Sequence, residues 1–152
     1  MIGTELAAFL QEGVGIHIGT RNASLEPNGS RALAVKVEDD ARHLVVYVAR
    51  VAAERLLPDL EGNGQAAVGF GRPIDDRACQ VKGVFIESRD AVEADRAIID
   101  AQWDGFLSSL ERIGIPRAAT RGWVTWPAVA IRIRANAIFD QTPGPGAGAP
   151  IA

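Results

Sequence analysis

The sequence has few of the residues that build disulfides, metal centres or redox pairs. Its 152 residues include one cysteine, Cys79, and two histidines, His17 and His43. One cysteine excludes an internal disulfide and a CxxC pair, and two isolated histidines match no metal-ligand motif. Because Cys79 lies in an alternating apolar run, we expect a buried and unreactive thiol. We therefore predict no metal site.

The sequence also lacks a strong charge of either sign and any long apolar run. Its formal net charge is −3, so it offers no basic surface of the kind that a nucleic-acid backbone requires. No run approaches the roughly 20 apolar residues of a membrane span. The opening stretch, MIGTELAAFLQEGVG, is too acidic and its apolar part too short for a signal peptide. We expect a cytoplasmic protein that binds neither nucleic acid nor membranes.

Motifs for catalysis are missing as well. The chain has no GxSxG elbow and no P-loop, and the glycines of GVGIHIG, residues 13–19, do not match GxGxxG. The acidic runs at residues 38–40 and 75–76 lie in turn-like segments, where solvated carboxylates are the usual case. His17 shares its strand face with two glycines, and we read it as an ordinary strand residue. We assign no catalytic residue.

The remaining pattern predicts a mainly β domain. A hydrophobic share of 47% excludes disorder over most of the chain and fits a single core. Periodicity predicts helices at 3–13, 51–64 and 91–113, and strands at 14–21, 30–38, 43–49, 65–71, 78–88 and 128–139. Six strands with hairpin-length links favour one antiparallel sheet that curls into a small barrel.

Several details of this organisation are further expectations. Residues 22–29, NASLEPNG, form a loop, and Pro58 kinks the second helix or begins it anew before it ends at Gly62 or Gly64. The third helix keeps Asp95 and Asp100 on its wet side. The domain spans residues 1–140, and the tail 141–152, rich in Pro, Gly and Ala, is irregular or partly disordered.

Lysine is scarce and oddly placed. Lys36 and Lys82 are the only lysines beside fourteen arginines, and both lie in strand-like runs. A cation on a strand can lie at a solvated edge, pair with an acid such as Glu38 or Glu87, or bind an anionic ligand. Gln80, beside Lys82, favours the third interpretation, because an amide both donates to and accepts from the edge of a heterocycle.

Three strand motifs, in this order, resemble the FMN-binding split barrels related to pyridoxamine 5′-phosphate oxidase. SRALAVK matches an Arg-x-x-x-x-Lys strand at Arg31 and Lys36, and LVVYVA matches a strand that ends in Tyr, at Tyr47. RACQVKG resembles an Arg-Gln-Val strand with Gln80 at the flavin-contacting position. The resemblance covers roughly residues 9–140. It implies a six-stranded antiparallel split barrel with flanking helices.

The resemblance also implies a cofactor and a partner. Members of this family are homodimers with two flavin sites between the barrels. The implied cofactor is FMN, whose phosphate requires cations or a helix N-terminus. Arg31 and Arg50 are the expected phosphate partners, and Lys36 and Lys82 are expected nearer the ring or the substrate. Tyr47 and Gln80 complete the predicted cofactor contacts.

The departures from the family pattern leave alternatives open. The family's phosphate-binding Ser-Arg-Lys run falls here on Ala52-Ala53-Glu54, and its C-terminal Trp and Arg segment is replaced by Pro-Gly-rich sequence. We therefore expect an FMN-dependent oxidoreductase that is distinct from the oxidase itself and acts on a small molecule that the sequence does not identify. A split barrel that uses a deazaflavin or haem, and a binding module without catalysis, are the alternatives.

Overall fold

A computed structural model describes residues 2–151 and shows that the alternating runs form strands of one curled sheet. The helices are α1 (Thr4–Gln11), α2 (Arg50–Asn63) and α3 (Glu93–Arg112), with a short 3-10 helix at Arg117–Thr120. The strands are β1 (Gly15–Arg21), β2 (Pro27–Ala32), β3 (Ala34–Val37), β4 (His43–Ala49), β5 (Gln65–Gly71), β6 (Ala78–Asp90) and β7 (Ala128–Asp140).

A bend at Leu33 closes the sheet into a barrel. The strand order is β2-β1-β5-β6-β7-β4-β3, and every neighbouring pair is antiparallel. The two edge strands, β2 and β3, are separated only by Leu33, whose N–H donates to the Tyr47 carbonyl at 2.8 Å. The chain therefore pairs with β1 before Leu33, as β2, and with β4 after it, as β3. This confirms the predicted antiparallel split barrel, with one of the six predicted strands divided in two.

One local prediction was wrong. The segment 22–29 is not all loop, because Pro27, Asn28 and Gly29 begin β2; proline is tolerated there as the first residue of an edge strand. Of the two alternatives for Pro58, a new helix start is excluded, because Pro58 lies exposed inside a continuous α2, and a kink stays a prediction. That helix ends at Gly64, as predicted, in a left-handed conformation with φ of 71°.

Burial divides the apolar residues between two clusters. The inner cluster fills the barrel with alternate residues of the strands, such as Ile18, Val46 and Ile131, and with apolar residues of α1 and α2. The second cluster lies on the outer face of the sheet, where Ile99 of α3 packs near Tyr47. The helix α3 therefore covers β3 and β4 from outside and leaves the outer faces of β1 and β5 largely open.

The C-terminal tail is irregular, as predicted, and its backbone folds back onto the barrel. Gln141 N–H donates to the Ala78 carbonyl at 2.9 Å, and Ile151 N–H donates to the Ile138 carbonyl at 2.8 Å. The predicted domain boundary at residue 140 stays a prediction. Within residues 2–151, no helix has the length and apolarity needed to cross a membrane.

Candidate functional site

The structure distributes the six predicted site residues over three places. Arg31 and Gln80 line one groove on the outer face of the sheet, Lys36 and Tyr47 line a separate cavity, and Arg50 and Lys82 lie in neither. Lys82 lies one outward position from Gln80 on β6, with its Nζ 5.0 Å from the centroid of the Phe139 ring. Arg50 opens α2 and pairs with Asp90 at 2.7 Å.

The sheet groove is the outer surface of β2, β1, β5 and β6, with His17, Arg31, Gly69 and Gln80 at its centre. These four residues stand in one row across the sheet, since Arg31 is paired with His17, His17 with Gly69, and Gly69 with Gln80. The groove has two lobes of about 400 and 550 Å³, and all four residues line both. With a strand spacing of about 4.8 Å, the Cα atoms of Arg31 and Gln80 lie roughly 14 Å apart across the sheet.

Arg31 lies between the sheet and two aromatic rings. Its guanidinium carbon is 4.3 Å from the centroid of the Trp123 ring and 5.3 Å from that of Phe106. Burial lowers the pKa of Arg31, but a guanidinium remains charged at any physiological pH. Among residues 2–151, no carboxylate pairs with it. A charged and partly buried guanidinium without an acid is suited to an anionic ligand.

A second hollow, the helix pocket, adjoins Arg31 at the start of α2. It measures about 490 Å³ and is lined by Ser30, Arg31, Leu33, Ala49, Val51, Ala52, Arg55, Trp103, Gly122, Trp123 and Val124. None of these residues is acidic. The N-cap, Ala49, supplies no side-chain cap, and the first turn of α2 contains no acid. Val51 and Ala52 of the first turn line the pocket with two arginines, and their N–H groups have no intrahelical acceptor, whereas the Arg50 N–H donates to the Pro127 carbonyl at 2.9 Å. The positive end of the helix dipole lies at this first turn.

His17 lies at the centre of the sheet groove and is exposed. Partial desolvation of the imidazole by the groove, and secondly the neighbouring Arg31 charge, lower its pKa below the usual 6.5. The ring is therefore neutral at pH 7, with one nitrogen that donates and one that accepts.

Lys36 and Tyr47 line the charged cavity, which measures about 400 Å³ and includes Glu38, Glu87, Arg89, Asp95 and Arg132. The Tyr47 hydroxyl donates to Asp95 Oδ1 at 2.8 Å. The pKa of Tyr47 lies well above its usual value, mainly because the phenol is buried and secondly because of this hydrogen bond. The phenol is therefore a permanent donor to Asp95. Its predicted contact with a cofactor, like that of Lys36, stays a prediction.

The expectation that Asp95 lies on the wet side of α3 was wrong. Its side chain is buried and accepts from both terminal nitrogens of Arg89, at 2.6 and 3.0 Å. The hydrogen bonds from Arg89 hold the pKa of Asp95 far below its usual range. The expectation for Cys79 was right, because the thiol is buried and burial raises its pKa to about 11.

Sequence reasoning missed the aromatic residues around Arg31. Trp123 lies in an irregular segment with no periodicity, so nothing in its neighbourhood indicated that it reaches a strand ninety residues earlier. Phe106 falls within the predicted third helix, where an apolar residue is expected to pack in the core. For His17, the two glycines on its strand face were the signal, and the structure places all three on the floor of the groove.

Comparison with solved structures identifies the architecture. A structure described as an F420 reductase matches with a TM-score of 0.58 at 16% identity, over 86% of this chain and 93% of that one. A putative pyridoxamine 5′-phosphate oxidase from Lactobacillus delbrueckii matches with a TM-score of 0.55 at 13% identity, over 90% and 93%. The fold is that of the split barrels related to pyridoxamine 5′-phosphate oxidase.

A third split barrel adds to this result. It is described as an FMN-binding protein from Syntrophomonas wolfei and matches with a TM-score of 0.50 at 13% identity, over 90% of this chain and 86% of that one. No family model matches the sequence, and no curated protein sequence matches it either. The resemblance seen in the strand motifs is thus confirmed as a likeness of fold.

Proposed function

We propose that this split barrel binds FMN and is a flavin-dependent oxidoreductase that acts on a small molecule. The observation that carries the proposal is the acid-free helix pocket, which Arg31 and Arg55 line together with Val51 and Ala52 of the first turn of α2. A phosphate monoester carries almost two negative charges near pH 7 and binds best at such a helix start. The pocket therefore offers a phosphate both cations and a helix N-terminus, without the family's Ser-Arg-Lys run.

The other end of the ligand is assigned to the sheet groove. Arg31 lines both the helix pocket and the groove, so a ligand with its phosphate in the pocket extends past Arg31 onto the sheet. Gln80 then meets the ring edge as donor and acceptor, and Lys82 occupies the next outward position, two residues further on the same strand. A bound flavin supplies the redox chemistry, and the protein supplies orientation and a positive field that favours the reduced, anionic ring.

Arg50, Lys36 and Tyr47 are secondary in this proposal. Arg50 lies outside the pocket and pairs with Asp90, whose carboxylate offsets its charge, so it contributes little to phosphate binding. Lys36 and Tyr47 line the charged cavity, and we propose that this cavity adjoins the cofactor only in a homodimer. The exposed apolar side chains of Val51, Trp123 and Val124 beside the helix pocket support such an assembly.

Titration of FMN fluorescence tests the proposal, with Arg31→Met as the variant. Methionine keeps the apolar stem against Trp123 but removes the charge. A lost charge-assisted hydrogen bond is worth about 1.5–3 kcal/mol, so we expect affinity to fall roughly 10- to 100-fold. Arg134→Met is the matched control, because Arg134 is exposed on β7 outside the groove and the helix pocket.

Two results would contradict the proposal. One is wild-type protein that leaves FMN fluorescence unchanged at micromolar concentrations. The other is equal FMN affinity in both variants, which would remove Arg31 from the site. Parallel titration with the deazaflavin F420 separates the two flavin-like cofactors, and a Soret band after haem addition would favour the haem alternative.

A further inference from the structure

Another hollow, the bulge pocket, lies at the opposite end of β4 from the helix pocket. It measures about 450 Å³, its polar lining residues are Arg42, Arg134 and Asn136, and its apolar lining includes Ile2, Ala137 and Ile138. Arg42 immediately precedes β4, whereas the helix pocket lies where that strand passes into α2. The seven residues of β4 separate the two hollows, a distance of roughly 20 Å. The bulge pocket is therefore separate from the proposed phosphate site.

A β-bulge shapes this pocket. The register of β6 and β7 pairs Lys82 with Ala137 and Gly83 with Ala135, so Asn136 is left without a partner in β6. A Cβ on Gly83 would lie 2.4 Å from the Arg134 carbonyl oxygen, so the close approach of the two strands beside the bulge depends on this glycine. A bulge bends its strand and changes where the neighbouring side chains point. Here the residues at the bulge, Arg134 and Asn136, line one pocket.

The two arginines of the bulge pocket have no acidic partner. Among residues 2–151, seven of the fourteen arginines pair with acids, as Arg132 does with Glu38 at 2.8 Å. In the same part of the chain, no ion pair or side-chain hydrogen bond engages Arg42 or Arg134, and no acid lines their pocket. Two like charges therefore share one hollow, an arrangement that a bound anion stabilises.

The acid nearest to Arg42 along the chain is engaged elsewhere. Asp40 Oδ1 accepts from the backbone N–H groups of Arg42 and His43, at 2.9 and 3.0 Å, and Asp40 Oδ2 contacts the His43 ring. The Asp40 carboxylate thus stabilises the turn between β3 and β4 and does not line the bulge pocket.

The rest of the pocket is apolar and held in place. Ile2 and Ile138 are core residues that are only 3% and 2% exposed. The Ile2 N–H donates to the Ala41 carbonyl at 2.8 Å, which fixes the N-terminal segment against the turn. The volume is in the range of small-molecule sites. The pocket therefore combines a cationic rim with an apolar wall.

We propose that the bulge pocket binds a small organic anion that carries its charged group on a short apolar body. Arg42 and Arg134 bind the anionic group, and the Asn136 amide donates a further hydrogen bond. Ile2 and Ala137 contact the apolar part. Guanidinium groups bind carboxylates and phosphates with the same geometry, so the experiment includes both head groups. The proposal does not depend on FMN binding, because it uses none of the residues assigned to the cofactor.

NMR titration of ¹⁵N-labelled protein tests the proposal, with acetate, hexanoate and hexyl phosphate as ligands. The double variant Arg42→Gln/Arg134→Gln removes both charges, and it should stay folded because both side chains are exposed and without acidic partners. The matched control is Arg112→Gln/Arg121→Gln. It removes two charges from arginines that are equally exposed and lie outside the bulge pocket.

We expect hexanoate to shift the backbone N–H signals of Arg42, Ala135 and Ala137. It should bind about tenfold more tightly than acetate, because its longer chain buries additional methylene groups. The Arg42→Gln/Arg134→Gln variant should bind hexanoate about tenfold more weakly than wild type, whereas the control should bind it as wild type does. A loss for both hexanoate and hexyl phosphate assigns the pocket to either head group, and a loss for one of them identifies the head group.

Three results would overturn the assignment. The first is that neither hexanoate nor hexyl phosphate, at millimolar concentration, shifts the signals of the bulge pocket. The second is that the two double variants bind these ligands equally well, which would reduce the effect to the overall charge of the protein. The third is that acetate binds as tightly as hexanoate, because the apolar wall would then make no contact. Arg31→Met should leave all these shifts unchanged, so this proposal and that of FMN binding fail independently.

Discussion

Replacing Asp95 with alanine removes four hydrogen bonds at the start of α3. The carboxylate accepts from the Tyr47 hydroxyl at 2.8 Å, from the Val92 N–H at 2.9 Å, and from two nitrogens of Arg89. The bond to the Val92 N–H caps the helix and is worth about 1 kcal/mol. The buried bond to Tyr47 is worth about 1.5–3 kcal/mol, because one partner is charged. Arg89 is half exposed and adds about 0.5 kcal/mol.

Together these terms predict that Asp95→Ala lowers the free energy of unfolding by about 3–5 kcal/mol, measured by urea titration. The buried Tyr47 hydroxyl loses its acceptor, so Tyr47→Phe in the same chain should restore about 1 kcal/mol. A loss below 1 kcal/mol for Asp95→Ala, or no gain from the second substitution, would refute this account of the network.

The loss should also depend on pH. Because the folded pKa of Asp95 lies below its unfolded value of about 3.9, its contribution is fully present above that value. It disappears as the pH falls toward the folded pKa. The difference in unfolding free energy between wild type and Asp95→Ala should therefore be constant from about pH 5 to 7 and shrink below about pH 4.

Two further predictions concern other parts of the molecule. Gln102→Leu should lower the free energy of unfolding by about 2–4 kcal/mol, because the Gln102 amide bonds both the N–H and the carbonyl of buried Val35, at 3.0 and 2.7 Å; a change like that of exposed Gln65→Leu would refute it. NMR titration should place the pKa of His17 below 6.5, and Arg31→Met should raise it by removing a nearby positive charge. An unchanged His17 pKa in the variant would contradict the effect assigned to the Arg31 charge.

Local pattern was sufficient for the strands but not for the bend at Leu33. Apolar and polar residues alternate with the same period on either side of Leu33, so the sequence pattern predicts one strand. The bend arises because residues before Leu33 pair with β1 and residues after it pair with β4. These pairing partners are distant in sequence, so a local pattern does not show them. The same change of partner explains why Arg31 and Lys36, five positions apart, line different hollows.

The candidate site was predictable in part for the same reason. The sequence indicated Arg31 and Gln80 individually, and the strand order β2-β1-β5-β6 places them in one row. Asp95 was missed because helical periodicity placed it outside, whereas its bond to Tyr47 joins residues 48 positions apart. Trp123 was missed because irregular segments carry no periodic signal. Partners that depend on tertiary packing leave little trace in local pattern.

The contact between Gln102 and Val35 has a consequence for solubility. An edge strand with free N–H and carbonyl groups is a template on which other chains assemble into aggregates. The Gln102 side chain, projecting from a helix, occupies both groups of Val35 as an adjoining strand would. A single amide thus shields the middle of β3, the edge of the sheet that α3 covers, from intermolecular strand addition.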